Sequence, residues 1–162
     1  MLTEQLVSLW LKRILGHEGG YWNDPVGGPT KWGISQRTYP ELDIPSLTAD
    51  DAARIYRRDF LAPLRAVHMD DGTAFQLLDF GVNSGMQTAI KQMQKILKIK
   101  ADGIIGQQTR LAVLNVSESD MIMLIIAARL RYMSKLRNLR ENCRGWMERL
   151  ARNLEYGAED SE

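Results

Sequence analysis

Apolar side chains recur at Val7, Leu11, Ile14 and Leu15, three or four residues apart, which is one stripe of an amphipathic helix. The spacing predicts a helix from Thr3, whose hydroxyl can cap it, to His17, with Gly19-Gly20 as its stop. Glu18 continues the stripe and brings a carboxyl to the core-facing end of that helix. From Tyr21 to Ser35 the chain carries Pro25, Gly27, Gly28, Pro29 and Gly33, too many breakers for a helix, and a short irregular β-ribbon is expected.

Helical patterning then returns. Thr48-Ala49-Asp50-Asp51 reads as a capping box opening a helix through Ala53, Ile55, Tyr56 and Phe60, stopped by Pro63. Asp71-Gly72 precedes a strongly apolar helix through Ala74, Phe75, Leu77, Leu78 and Phe80, ending at Gly81-Val82-Asn83-Ser84-Gly85. Residues 86–100 suit a helix through Ala89, Ile90, Met93, Ile96 and Leu97. Asp102-Gly103 and Gly106 make a turn before Thr109 and a helix start. Ser117 or Ser119 can cap a helix over about Asp120 to Leu136, and a last helix is expected near Asn142 to Tyr156. From Arg129 to Arg152 the cations Arg129, Arg131, Lys135, Arg137, Arg140, Arg144, Arg149 and Arg152 meet only Glu141 and Glu148. With Leu130, Tyr132, Met133, Leu136 and Leu139 interleaved, the run reads as the solvated outer face of two inward-packed helices. Attraction to anionic wall polymers or outer-membrane lipid is the sharper alternative.

At 162 residues the chain suffices for one domain, or for one domain and a small appendage. A net charge of +1 argues against a broadly polyanion-binding surface, and no nucleic-acid recognition motif is visible. The single cysteine, Cys143, excludes an internal disulfide, and His17 and His68 are too few to suggest zinc, so neither metal nor cofactor is expected. The opening Met1-Leu2-Thr3-Glu4-Gln5 has no basic region before an apolar core, and Lys12-Arg13 interrupt the apolar run, so no secretory signal is expected. Met121 to Ala128, the most apolar stretch, is far short of a membrane span.

Glu18 is the chemically pointed residue. Partial burial and the negative end of a helix dipole both disfavour a charged carboxyl, and a general acid must hold its proton until the leaving group needs it. The stretch His17-Glu18-Gly19-Gly20-Tyr21, Gly27-Gly28-Pro29-Thr30 and Trp32-Gly33-Ile34 resembles the signature of the glycoside hydrolase family 108 muramidases, peptidoglycan-cleaving endolysins found mostly in phages and prophages. That resemblance implies a catalytic role for Glu18. More distantly, the stretch is similar to the Glu, Asp, Thr constellation of T-even phage lysozymes. The six-residue interval from Asp24 to Thr30 matches there, but the Glu-to-Asp interval is three shorter. The longer loop that many family members carry before the paired glycines is absent here.

The resemblance implies a mainly α, lysozyme-like helical fold with a short β-ribbon after the first helix. It also implies a catalytic part over 1–85 and a helical peptidoglycan-binding-like part over 86–162, packed as one compact unit. Asp102-Gly103-Ile104-Ile105-Gly106-Gln107-Gln108-Thr109 resembles the repeat of peptidoglycan-binding modules, and Gly145-Trp146-Met147-Glu148-Arg149 resembles a run closing family members. On this reading Glu18 protonates the glycosidic oxygen, Asp24 positions water or stabilises the oxocarbenium-like centre, and Thr30 orients that water. Tyr21, Trp32 and Asn83 contact sugar, although Asn83 beside Gly85 also suits a helix C-cap. The partner is bacterial peptidoglycan; the protein is expected to be a monomer without stable membrane insertion. It would be held in the host cytoplasm until a separate holin or secretion system releases it to the periplasm and wall. A lytic transglycosylase and a non-catalytic wall-binding or phage structural module are the rival readings.

Overall fold

The computed structural model describes residues 3–18, 20–24, 28–64 and 69–160, with the backbone alone for Glu18 and Asp24. The fold is mainly α with a small three-stranded antiparallel sheet directly after the first helix, the lysozyme-like architecture expected from the resemblance. The chain forms two compact units, Met1–Ala62 and Pro63–Glu162.

In the first unit, helix α1 spans Glu4–Glu18. Leu6 donates its backbone N–H to Thr3 Oγ1 at 3.2 Å, the expected cap. Val7, Leu11 and Ile14 of the predicted stripe are buried, together with Trp10. Strands β1 (Trp22–Asp24), β2 (Gly28–Lys31) and β3 (Ile34–Ser35) form the ribbon in the order β1-β2-β3. A 3-10 turn at Ile44–Ser46 follows and buries Ile44. Helix α2 (Ala49–Tyr56) opens on the predicted capping box: Thr48 accepts from Asp51 N while the Asp51 carboxylate accepts from Thr48 N at 2.9 Å.

Pro63 does not end this helix where expected. A π-helical turn, Arg57–Leu61, carries the chain into a short helical segment, α3 (Ala62–Leu64), which contains the proline. Ala62 N–H reaches back five residues to Arg57 O. This wider turn stands just before the residue that lacks an N–H and whose ring would crowd an ordinary α-turn.

The second unit is built on helix α4 (Asp71–Ser84), in which every residue from Gly72 to Gly81 is buried. Helices α5 (Met86–Ile96), α7 (Glu118–Met133) and α8 (Leu139–Asp160) pack against it. Ser117, rather than Ser119, caps α7 by accepting from Asp120 N at 3.3 Å. The last helix is longer than expected at both ends. Ile122, Ile126, Met133 and Leu150 form a cluster of α7 and α8 that Tyr132, Leu136 and Trp146 cover. Phe75 meets Tyr156 edge-on at 5.7 Å, and Phe80 lies 5.8 Å from Tyr132.

Two members of the basic run are not on a solvated face. Arg129 and Arg149 are buried and converge on the fully buried carboxylate of Asp79 in α4. Arg129 Nη1 donates to Oδ2 at 2.6 Å and Arg149 Nη2 to Oδ1 at 2.7 Å. Asn153 Nδ2 adds a third donor at 2.6 Å, while the Arg129 guanidinium also lies over the Phe80 ring at 5.4 Å. Burial by itself would raise the Asp79 pKa. The two guanidinium charges and their hydrogen bonds overcome that and hold it well below the usual carboxylate range. Charge density along the sequence could not distinguish these two arginines from their exposed neighbours, because their partner is fifty residues or more away.

The Asp-Gly-x-x-Gly-x-x-Thr turn before helix α6 (Gln107–Val113) is organised by Gln94 of α5. Its Nε2 donates to Asp102 Oδ1 at 2.9 Å, Ile104 O at 2.9 Å and Thr109 Oγ1 at 3.2 Å. Its Oε1 accepts from Gly103 N at 2.8 Å. Gly103 has φ +82, which a side chain would strain. Each polar member of the motif therefore has a structural use in closing the turn.

Candidate active site

The candidate site lies where α1 gives way to the ribbon. Glu18 is the last residue of α1. The ribbon's register pairs Trp22 with Thr30, Asn23 with Pro29 and Asp24 with Gly28. The Trp22–Thr30 and Asp24–Gly28 pairs are one pleat repeat apart, so positions 24 and 30 belong to the same face by register. The side chains of Glu18 and Asp24 lie outside the described residues, and so does the expected core-facing direction of the Glu18 carboxyl.

Thr30 is half-buried on the central strand, where its hydroxyl donates to Gly28 O across 3.4 Å. That long bond leaves the oxygen lone pairs available to a second donor. Tyr21 precedes β1 and is 52% exposed. Asn83 belongs to the second unit, one residue from the end of α4, and accepts from Ser84 Oγ at 3.3 Å.

Trp32 sits in the turn between β2 and β3 with φ 53, a left-handed conformation that a bulky residue seldom adopts. Two features accompany that strain. Its carbonyl accepts from the buried Tyr56 hydroxyl at 2.8 Å, and its indole N–H is buried without a hydrogen-bond partner among the described residues. Lys31 Nζ donates to Pro45 O at 2.7 Å, and Gln36 Nε2 donates to Tyr39, Pro40 and Leu42 carbonyls at 3.3, 2.9 and 2.9 Å. The ribbon is thus tied to the segment after it at three places, by Lys31, Trp32 and Gln36.

Sequence reasoning named Trp32 but not Tyr56, whose only sequence signal is an apolar position on a helix stripe. It also passed over Trp22, 65% exposed on β1 and opposite Thr30. An aromatic at the start of a short strand was the available sign.

Residues 11–85 match the family model described as Glycosyl hydrolase 108, and residues 88–151 match the one described as Predicted Peptidoglycan domain. Among solved structures, that of Brucella abortus SagA superposes with a TM-score of 0.90 at 26% sequence identity, covering 99% of this chain and 98% of that one. No curated protein matches the chain.

Proposed function

We propose that this chain, whose residues 11–85 match the Glycosyl hydrolase 108 model and whose residues 88–151 match the Predicted Peptidoglycan domain model, is a glycoside hydrolase of the former family acting on peptidoglycan, with Glu18 as the general acid of glycan-strand cleavage. The observation that carries the reading is that α1 ends at Glu18 and is followed within a few residues by a ribbon whose register sets positions 24 and 30 on one face. The bond broken is the one between N-acetylmuramic acid and N-acetylglucosamine. Glu18 gives its proton to the leaving oxygen as the C1–O bond breaks and positive charge develops at the ring. Asp24 stabilises that centre or takes a proton from the incoming water, and Thr30 orients the water. Tyr21 and Trp32 supply aromatic surface to the sugar. Delivery to the wall by a separate holin or secretion system, as in a phage endolysin, belongs to the same reading. Its check is that the purified protein lyses Gram-negative cells only after their outer membrane is permeabilised.

Mass spectrometry of peptidoglycan digested in heavy-oxygen water tests the chemistry. Hydrolysis puts one label on a new reducing end, whereas an anhydro end would establish transglycosylation instead. Glu18→Gln should lower turnover by about a hundredfold to ten-thousandfold with its melting temperature kept, since size and polarity survive and the proton donor does not. Asp24→Asn should lower kcat with little change in KM, as expected of a group that acts at the transition state. Near-normal turnover by folded Glu18→Gln would end the general-acid reading.

A further inference from the structure

Trp22, on strand β1, is a large side chain that the fold itself leaves uncovered. It is 65% exposed, and its indole makes no hydrogen bond or ring contact among the described residues. Leaving so large an apolar surface in water forgoes the stabilisation that burial would bring. Its position is informative. Trp22 stands directly opposite Thr30, and opposed residues share a face with their Cβ atoms about 4.5–5.5 Å apart. Gly28, the next residue of β2 on that face, has no side chain to cover the indole. A flat apolar surface therefore lies open beside the threonine assigned to the attacking water.

The chemistry that fits this surface is a pyranose ring. One face of such a ring presents C–H groups and its rim presents hydroxyls and an acetamido group. An indole offers a broad apolar plane to the first and an N–H donor to the second. We infer that Trp22 is a sugar-binding residue that stacks on an N-acetylated hexosamine of the glycan strand, beside the bond being cut. This rests on the assignment of Glu18 and Thr30 to glycan cleavage. Stacking on a ring that does not itself react stabilises ground state and transition state alike, so it acts on KM rather than kcat.

The test is the release of reducing ends from soluble, peptide-free strands of alternating N-acetylglucosamine and N-acetylmuramic acid. Trp22→Thr removes the ring while keeping a strand-forming residue opposite Thr30. It should raise KM about tenfold with kcat within about twofold, and Trp22→Tyr should recover most of the loss. An unchanged KM in Trp22→Thr, or a rise seen only on peptide-bearing wall, overturns the stacking role while cleavage still depends on Glu18. Cleavage that survives Glu18→Gln overturns the general-acid reading and leaves the KM result for Trp22 to stand on its own. Should Trp22→Thr lose its cooperative melt, fluorescence decides. Wild-type tryptophan emission should shift to shorter wavelength when strands are added, and a shift of the same size in Trp22→Tyr overturns the inference.

Discussion

Asp79 shows how one buried charge can be tolerated. Its carboxylate receives donors from Arg129, Arg149 and Asn153, and both arginines are themselves buried. Replacing it with Asn would leave two buried guanidiniums without their counter-ion, a loss of about 3–5 kcal/mol. The pH dependence has a definite sign. The folded-state pKa is depressed, so the contribution is fully present above the unfolded carboxylate value of about 3.9 and is lost as the pH falls below it toward the folded value. Urea melts of wild type and Asp79→Asn should therefore differ most near neutrality and converge as the pH drops below about 4. A gap that stays constant down to pH 3 would mean that Asp79 is not the group being protonated. This residue was not legible in the sequence. Asp79 sits mid-helix among Leu77, Leu78 and Phe80, and nothing local marks the two arginines fifty and seventy residues away as its partners. The helix end at Glu18 and the ribbon that carries Thr30 were legible because both are set by local sequence, an apolar stripe and then a run of turn residues. The Tyr56 hydroxyl on the Trp32 carbonyl, a contact across twenty-four residues, was hidden for the same reason as Asp79.

Among the elements, periodicity located helices well and failed where a local rule met a tertiary partner. The α1 stripe and the α4 apolar run were readable because each buries a continuous set of side chains. Pro63, read as a stop, lies inside a helical segment because the π-turn before it makes room. Helix α8 starts at Leu139, three residues before the expected Asn142, with Asn138, a favoured N-cap type, directly before it. That helix also gives an opposed pair of expectations for glycine. Gly145 has nothing within 4 Å of where a Cβ would stand, so Gly145→Ala should add stability by about 0.5–1 kcal/mol through helix propensity alone. Gly157 gains the same propensity, but its added Cβ would lie 2.7 Å from Ile122 Cγ2, on the buried α7 side chain. Overpacking of that kind costs about 1–3 kcal/mol, more than propensity returns, so Gly157→Ala should destabilise. Thermal melts of the two variants should move in opposite directions. A rise for both would show that Ile122 can give way and that the α7–α8 approach is looser than its geometry.

For the whole molecule, similarity to families and compactness divide the chain differently. The two family matches part between residues 85 and 88, whereas the compact units part between Ala62 and Pro63. Helix α4 is the segment in dispute. Its side chains speak for the later helices: Asp79 binds Arg129 and Arg149, Gln76 Nε2 donates to Asn153 O at 2.8 Å, and Gly72 N donates to Glu118 Oε1 at 2.7 Å. Phe75 and Phe80 meet Tyr156 and Tyr132. A fragment ending at residue 85 loses all of these. It would expose apolar side chains whose burial stabilises by about 1.5–3 kcal/mol each, and it would strand the Asp79 charge. A fragment spanning 63–162 keeps every one. Residues 63–162 alone should therefore unfold cooperatively on heating, and residues 1–85 alone should melt without a transition and bind a hydrophobic dye. If 1–85 melts as sharply as the full chain, α4 is held well enough by what precedes it, and the glycosyl hydrolase match would mark an independently folding unit. If neither fragment melts cooperatively, the two compact units depend on each other for stability, and α4 is shared between them.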